Sequence, residues 1–170
     1  MSTHLRLTHW LVLSLFVLAG CSRDGSAEPG DSTTAVARGN DAAMNAVQSA
    51  ARALAEPEPS VDYVAAEMEG VIKARTNSQA LMHYDGYRVT LTTPGSRVTR
   101  IVFELTEARP RMDQLSEVFG TPEEVGRGML YSYYAAATGS TIRILAEPVS
   151  KPATETSLVR RILIEGAHRR

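Results

Sequence analysis

The sequence predicts an α+β fold: two tandem repeats, each a helix followed by three antiparallel strands, joined in one sheet with both helices on one face. Three observations carry this. Between residues 60 and 166 the apolar positions switch twice from helical spacing to strict alternation. Turn residues separate the alternating runs. The two halves also repeat the same order of patterns, so that Arg88-Val89 aligns with Arg143-Ile144 and Arg100-Ile101 with Arg161-Ile162. Two amphipathic helices and a one-sided sheet can hide their apolar surfaces together when the helices cover one sheet face.

In the first repeat, Ser60 or Asp62 caps a helix running to about Gly70, with Tyr63, Val64, Met68 and Val71 as its apolar side. Strands follow over 80–84, 87–91 and 98–104. Asp85-Gly86 makes the first hairpin turn and Pro94-Gly95 the second. In the second repeat, Pro110 opens a helix whose apolar side is Met112, Leu115, Val118 and Phe119, and Gly120-Thr121-Pro122 stops it. Strands follow over 129–134, 141–145 and 158–165. Pairing the copies gives six strands.

The segments before residue 60 have a different character. Arg6 precedes the apolar run Trp10 to Leu18, which has the length of a signal-peptide core and is too short to span a bilayer as a stable helix. Residues 1–20 are therefore a processing segment. Residues 21–40 are Gly, Ser, Thr, Asp, Ala and Pro with almost no large apolar side chain, the composition of a flexible linker. Residues 41–56 form a short amphipathic helix, with Asp41 as N-cap and Met44, Val47, Ala51 and Leu54 as a thin apolar stripe. Glu56-Pro57-Glu58-Pro59 ends it. The α+β domain occupies residues 60–166 and a frayed tail 167–170.

The only cysteine is Cys21, which excludes an intramolecular disulfide and any cysteine-based metal cluster. Leu18-Ala19-Gly20-Cys21 resembles the lipobox of bacterial lipoproteins. The resemblance implies that the chain is cut between Gly20 and Cys21 and that Cys21 carries the acyl chains, palmitate among them, that tether the protein without spanning the membrane. Ser22 in place of an aspartate after the cysteine implies export to the outer membrane, on its periplasmic face. The helix ending Phe119-Gly120-Thr121-Pro122, followed by a strand with Tyr131, Tyr133 and Tyr134, resembles the small outer-membrane lipoproteins of the BamE-like (SmpA/OmlA) group. The tandem order is similar to that of the β-lactamase inhibitor protein fold. These likenesses imply a fold and a habit of binding proteins in the cell envelope, with no functional residue carried over.

Alternation assigns Tyr87, Val89, Leu91, Ile101, Phe103, Ile142, Ile144, Ile162 and Ile164 to the core, joined by Met82, Tyr84, Tyr131 and Tyr133. The opposite sheet face then gathers Arg88, Arg100, Arg143 and Arg161 among Val98, Val102, Val159 and Leu163. Guanidinium groups among aliphatic side chains suit a protein interface. These four arginines and Tyr134 are the candidate partner-binding residues. A water-facing sheet with arginine stems lying over valines is the plainer reading.

No catalytic constellation is legible. Gly-x-Ser-x-Gly, His-Glu-x-x-His and a phosphate-binding glycine loop are all missing from the sequence. Past residue 20 only His83 and His168 remain, too few for a histidine metal site, and no cofactor is expected. Glu123-Glu124 reads as a solvated pair at a turn. The formal charge of −1 gives no general attraction to nucleic acid. The expected function is thus a lipid-anchored periplasmic protein-binding module, either an accessory of outer-membrane assembly or an inhibitor or immunity lipoprotein. The alternative is a peptidoglycan or carbohydrate binder that stacks sugars on the tyrosine-bearing strand.

Overall fold

The computed structural model describes residues 31–167. The signal segment, Gly20, Cys21 and residues 168–170 lie outside them. The described elements are α1 (Asp31–Leu54), α2 (Val61–Glu67), β1 (Ile72–Arg75), β2 (Gln79–Tyr84), β3 (Tyr87–Thr92), β4 (Arg100–Leu105), α3 (Met112–Phe119), β5 (Glu123–Val125), β6 (Gly128–Ala135), β7 (Ser140–Pro148) and β8 (Val159–Ala167).

The class is α+β, but the expected arrangement is overturned. One antiparallel sheet of eight strands, not six, runs in the order β1-β2-β3-β4-β8-β7-β6-β5, and three helices accompany it, so the helix-plus-three-strand repeats do not exist as such. The two strands the sequence hides are β1 and β5 at the sheet edges. Both are short and carry charge, Lys73 and Arg75 on one and Glu123 and Glu124 on the other, so neither shows the apolar alternation that marks a strand. Short charged edges also discourage edge-to-edge pairing with other chains.

The core is built as alternation dictates. Tyr87, Val89 and Leu91 of β3, Ile101 and Phe103 of β4, Ile142 and Ile144 of β7, and Ile162 and Ile164 of β8 are all buried with Met82 and Tyr131, while Tyr84 and Tyr133 pack against them half-buried. Tyr84 stacks on Tyr87 at 4.6 Å between ring centres, and Phe119 meets Tyr133 edge-on. Strand pairing is in register through the middle of the sheet, with Val89 opposite Phe103 and Phe103 opposite Ile162.

Helix α1 covers this face. It begins at Asp31, inside the stretch whose composition reads as linker, and no proline interrupts it before Pro57. Asp41 is therefore mid-helix rather than an N-cap. The thin stripe is sufficient because its small residues let the backbone come close: Ala43, Ala46, Val47, Ala50, Ala51 and Leu54 are buried against the core. Asn40 adds a tertiary bond, its Oδ1 accepting from the Arg109 backbone N–H at 2.8 Å.

Helix α2 is capped as expected, with Ser60 Oγ accepting from Tyr63 N–H at 3.2 Å. It ends at Glu67, so Val71 falls outside it and is exposed, as is Tyr63. Helix α3 starts at Met112. The Gln114 side chain accepts from the Arg111 N–H, and Gly120, at φ 82°, turns the chain out. Val118 faces water.

Gly128 opens β6 beneath β7. A Cβ there would sit 2.1 Å from the Ala146 carbonyl oxygen and 2.9 Å from its carbon, and backbone cannot yield as a side chain can. Gly128→Ala is expected to prise apart the β5–β6 end of the sheet, costing about 1–3 kcal/mol of overpacking. Amide hydrogen exchange should report this as faster exchange confined to β5, the start of β6 and the end of β7.

Candidate functional site

All three helices contribute to one buried cluster with the inner face of the sheet. The other face is covered by none of the described helices. It carries alternate residues of the strands, and strand register arranges them in rows, three of which cross the middle of the sheet.

The middle row is Leu81, Thr90, Val102, Leu163, Leu145 and Leu130, directly opposite one another from β2 to β6. All six are half-buried. One flanking row reads Arg88, Glu104, Arg161, Glu147, and the other Arg100, Glu165, Arg143, so charge alternates along both. The surface is an aliphatic stripe between two ladders of alternating sign.

The arginines expected to gather here do so, but three of the four are partnered. Arg88 forks onto Glu104, with its Nε 2.9 Å from Oε2. Arg100 Nε donates to Glu165 Oε1 at 2.7 Å. Arg161 lies 3.8 Å from Glu147, whose other oxygen takes Arg160 at 3.4 Å. Arg143 stands opposite Glu165 with no ion pair among the described residues. These are half-exposed pairs, each contributing at most about 1 kcal/mol to stability. They hold the guanidinium planes in place, which lowers the entropy lost when a partner docks.

Two of the four aliphatic residues assigned to this face are elsewhere. Val98 and Val159 are fully buried. Thr99 and Arg100 both sit against Thr92, with Thr99 N–H donating to its carbonyl at 3.0 Å, and this extra residue turns Val98 inward. In β8 the register against β7 slips by one residue at Arg160, so Val159, opposite Pro148, changes face. Leu81, Leu130 and Leu145, which sequence reasoning left off the surface, take their place in the stripe. The signal was available, since all three alternate with core residues along their own strands.

Tyr134 lies on the same open face, opposite Thr141, and is 62 % exposed. Tyr131 points the other way and is fully buried, its hydroxyl donating to the Met112 carbonyl at 3.2 Å. The aromatic strand therefore offers one tyrosine to this face rather than a stacking platform.

The displaced ionisations sit away from the open face. Burial, helped by the charge of Glu69, pushes the Tyr84 phenol up to about 12, and burial likewise raises Tyr131. Both are hydrogen-bonded to backbone carbonyls under the helices. His83 is exposed on β2 opposite Arg88, and Glu123 and Glu124 are exposed on β5. Among the described residues no group of three His, Cys, Asp or Glu side chains could hold a metal ion, and no helix is long and apolar enough to cross a membrane.

The open face carries Leu163 and Leu145 beside Arg143 and Glu165 around a shallow depression of about 70 Å³. That is too small to enclose a drug-sized ligand, which needs about 300 Å³ or more. A wider, open hollow of about 390 Å³ lies at the hairpin end of the same face, beside His83, Arg88, Glu104 and Arg160. None of the protein-family models, curated proteins or solved structures compared with the chain matches it.

Proposed function

We propose that the chain is a lipid-anchored protein-binding module of the bacterial envelope, held by acylated Cys21 at the periplasmic face of the outer membrane and engaging its partner through the open face of the sheet. The observation that carries the reading is the half-buried aliphatic stripe lying between two ladders of alternating Arg and Glu. Protein interfaces combine an apolar centre that excludes water with a charged rim that fixes register, and arginine is enriched in them. The charged, short edge strands leave the face as the surface suited to specific contact.

The test is a photo-crosslinking amino acid at Leu163 in the full chain, irradiated in native envelopes. A discrete adduct is expected, lost when Arg100→Glu and Arg161→Glu are added together, since two reversed charges in the ladders oppose the partner. An adduct yield unchanged by those substitutions, or no adduct at all, would defeat the reading.

A further inference from the structure

We infer that the open face binds a second copy of the same chain, face to face, about a two-fold axis that runs parallel to the strands midway between β4 and β8. This rests on the protein-binding reading above and names the partner for that site.

The inference comes from the pattern of charge. An axis in that position sets β4 against β8 of the second copy, β3 against β7 and β2 against β6, because the strand order around β4 and β8 is β2-β3-β4-β8-β7-β6. Each residue then meets the one at the same level on the exchanged strand. Arg100 meets Glu165, Glu104 meets Arg161, and Arg88 meets Glu147, while Val102 meets Leu163 and Thr90 meets Leu145. Six of the seven charges in those ladders find the opposite sign, Arg143 meeting Thr92, and the stripe meets itself. Two-fold interfaces require this self-complementarity. The six strands span about 24 Å between the outer axes at ~4.8 Å spacing. A face of that width is on the order of 600 Å², towards the lower end of the ~800 Å² per partner of stable complexes.

A second axis, across the strands, would also oppose unlike charges, and the position of α1 decides between the two. Its start lies at the β2–β3 hairpin end of the sheet, where Val36 and Gly39 approach Asp85, Gly86, Glu107 and Ala108. The axis along the strands keeps both such ends on the same side, so both acylated termini reach one membrane. The axis across them would send the termini to opposite ends.

Two differently tagged full-length copies, co-expressed and co-purified from membranes in mild detergent, provide the test. Unmodified copies are expected to capture each other. Arg161→Glu with itself sets carboxylate against Glu104 of the second copy twice, and Glu104→Arg with itself sets guanidinium against Arg161 twice. Each should lower capture at least ~tenfold. Mixing the two variants restores both pairs and should restore capture, although each chain bears the same internal like-charge contact as before, so a folding defect would not be rescued. No capture between unmodified copies, or a mixed pair no better than the self-pairs, overturns the inference. A Leu163 adduct composed only of other envelope proteins would sink the dimer and leave the protein-binding reading standing, whereas no adduct would end both.

Discussion

Phe103→Ala is expected to remove about 3–5 kcal/mol of folding stability, the range for deleting a buried aromatic side chain. Phe103 lies in β4, fully buried, with Ile162 opposite it on one side and Val89 on the other, and its ring stacks near Tyr87 at 6.1 Å. Both flanking strands would lose contacts at the middle of the sheet. A loss of that size is a large fraction of the roughly 5–15 kcal/mol that holds a domain folded. Val102→Ala, one residue away on the open face, should cost no more than about 1 kcal/mol, because Val102 is only half-buried and no helix lies over it. Urea unfolding of both variants checks the contrast. Equal losses would mean that something covers the open face in the isolated chain.

Cys21→Ser is expected to abolish the mature acylated form, leaving precursor or a chain released to the soluble fraction. The thiol is the acceptor of the lipid in the lipobox reading, and a hydroxyl does not replace it. Each buried methylene contributes roughly 0.8 kcal/mol, so several acyl chains make dissociation negligible and their loss should move essentially all of the mature protein. Intact-mass measurement and membrane fractionation together provide the readout. Mature protein in the membrane pellet of the variant would be incompatible with lipid attachment at this residue.

The inner face of the sheet was legible because alternation is a local signal: Ile101, Phe103, Ile142, Ile144, Ile162 and Ile164 declare it within their own strands and are all buried. Edge strands are held by one neighbour and face water, so Ile72–Arg75 and Glu123–Val125 carry no such signature. Composition also misled at residues 31–40, where Thr, Gly and Ser suggest a tether. The helix there is continuous with the docked, alanine-lined part of α1, and Asn40 is tied to Arg109, 69 residues on.

The candidate site was legible in part. The placing of Arg88, Arg100, Arg143, Arg161 and Tyr134 on one face followed from the two-residue period. Their partners did not, because the Arg100–Glu165 bond joins residues 65 apart and depends on β4 lying beside β8. The inward turns of Val98 and Val159 were equally hidden, since one extra residue in a strand leaves no compositional trace.

Helix α1 is already wound at Asp31, and nine residues lie in the sequence between Cys21 and that position. The ten Cα steps from Cys21 to Asp31 reach at most ~36 Å in any conformation. With Cys21 acylated as proposed above, that reach would keep the β2–β3 hairpin end of the sheet, where α1 begins, within about 36 Å of the bilayer. Encounters would then favour other proteins held at the same membrane, where crowding in two dimensions raises the effective concentration of neighbours and a modest intrinsic affinity is sufficient for lasting contact.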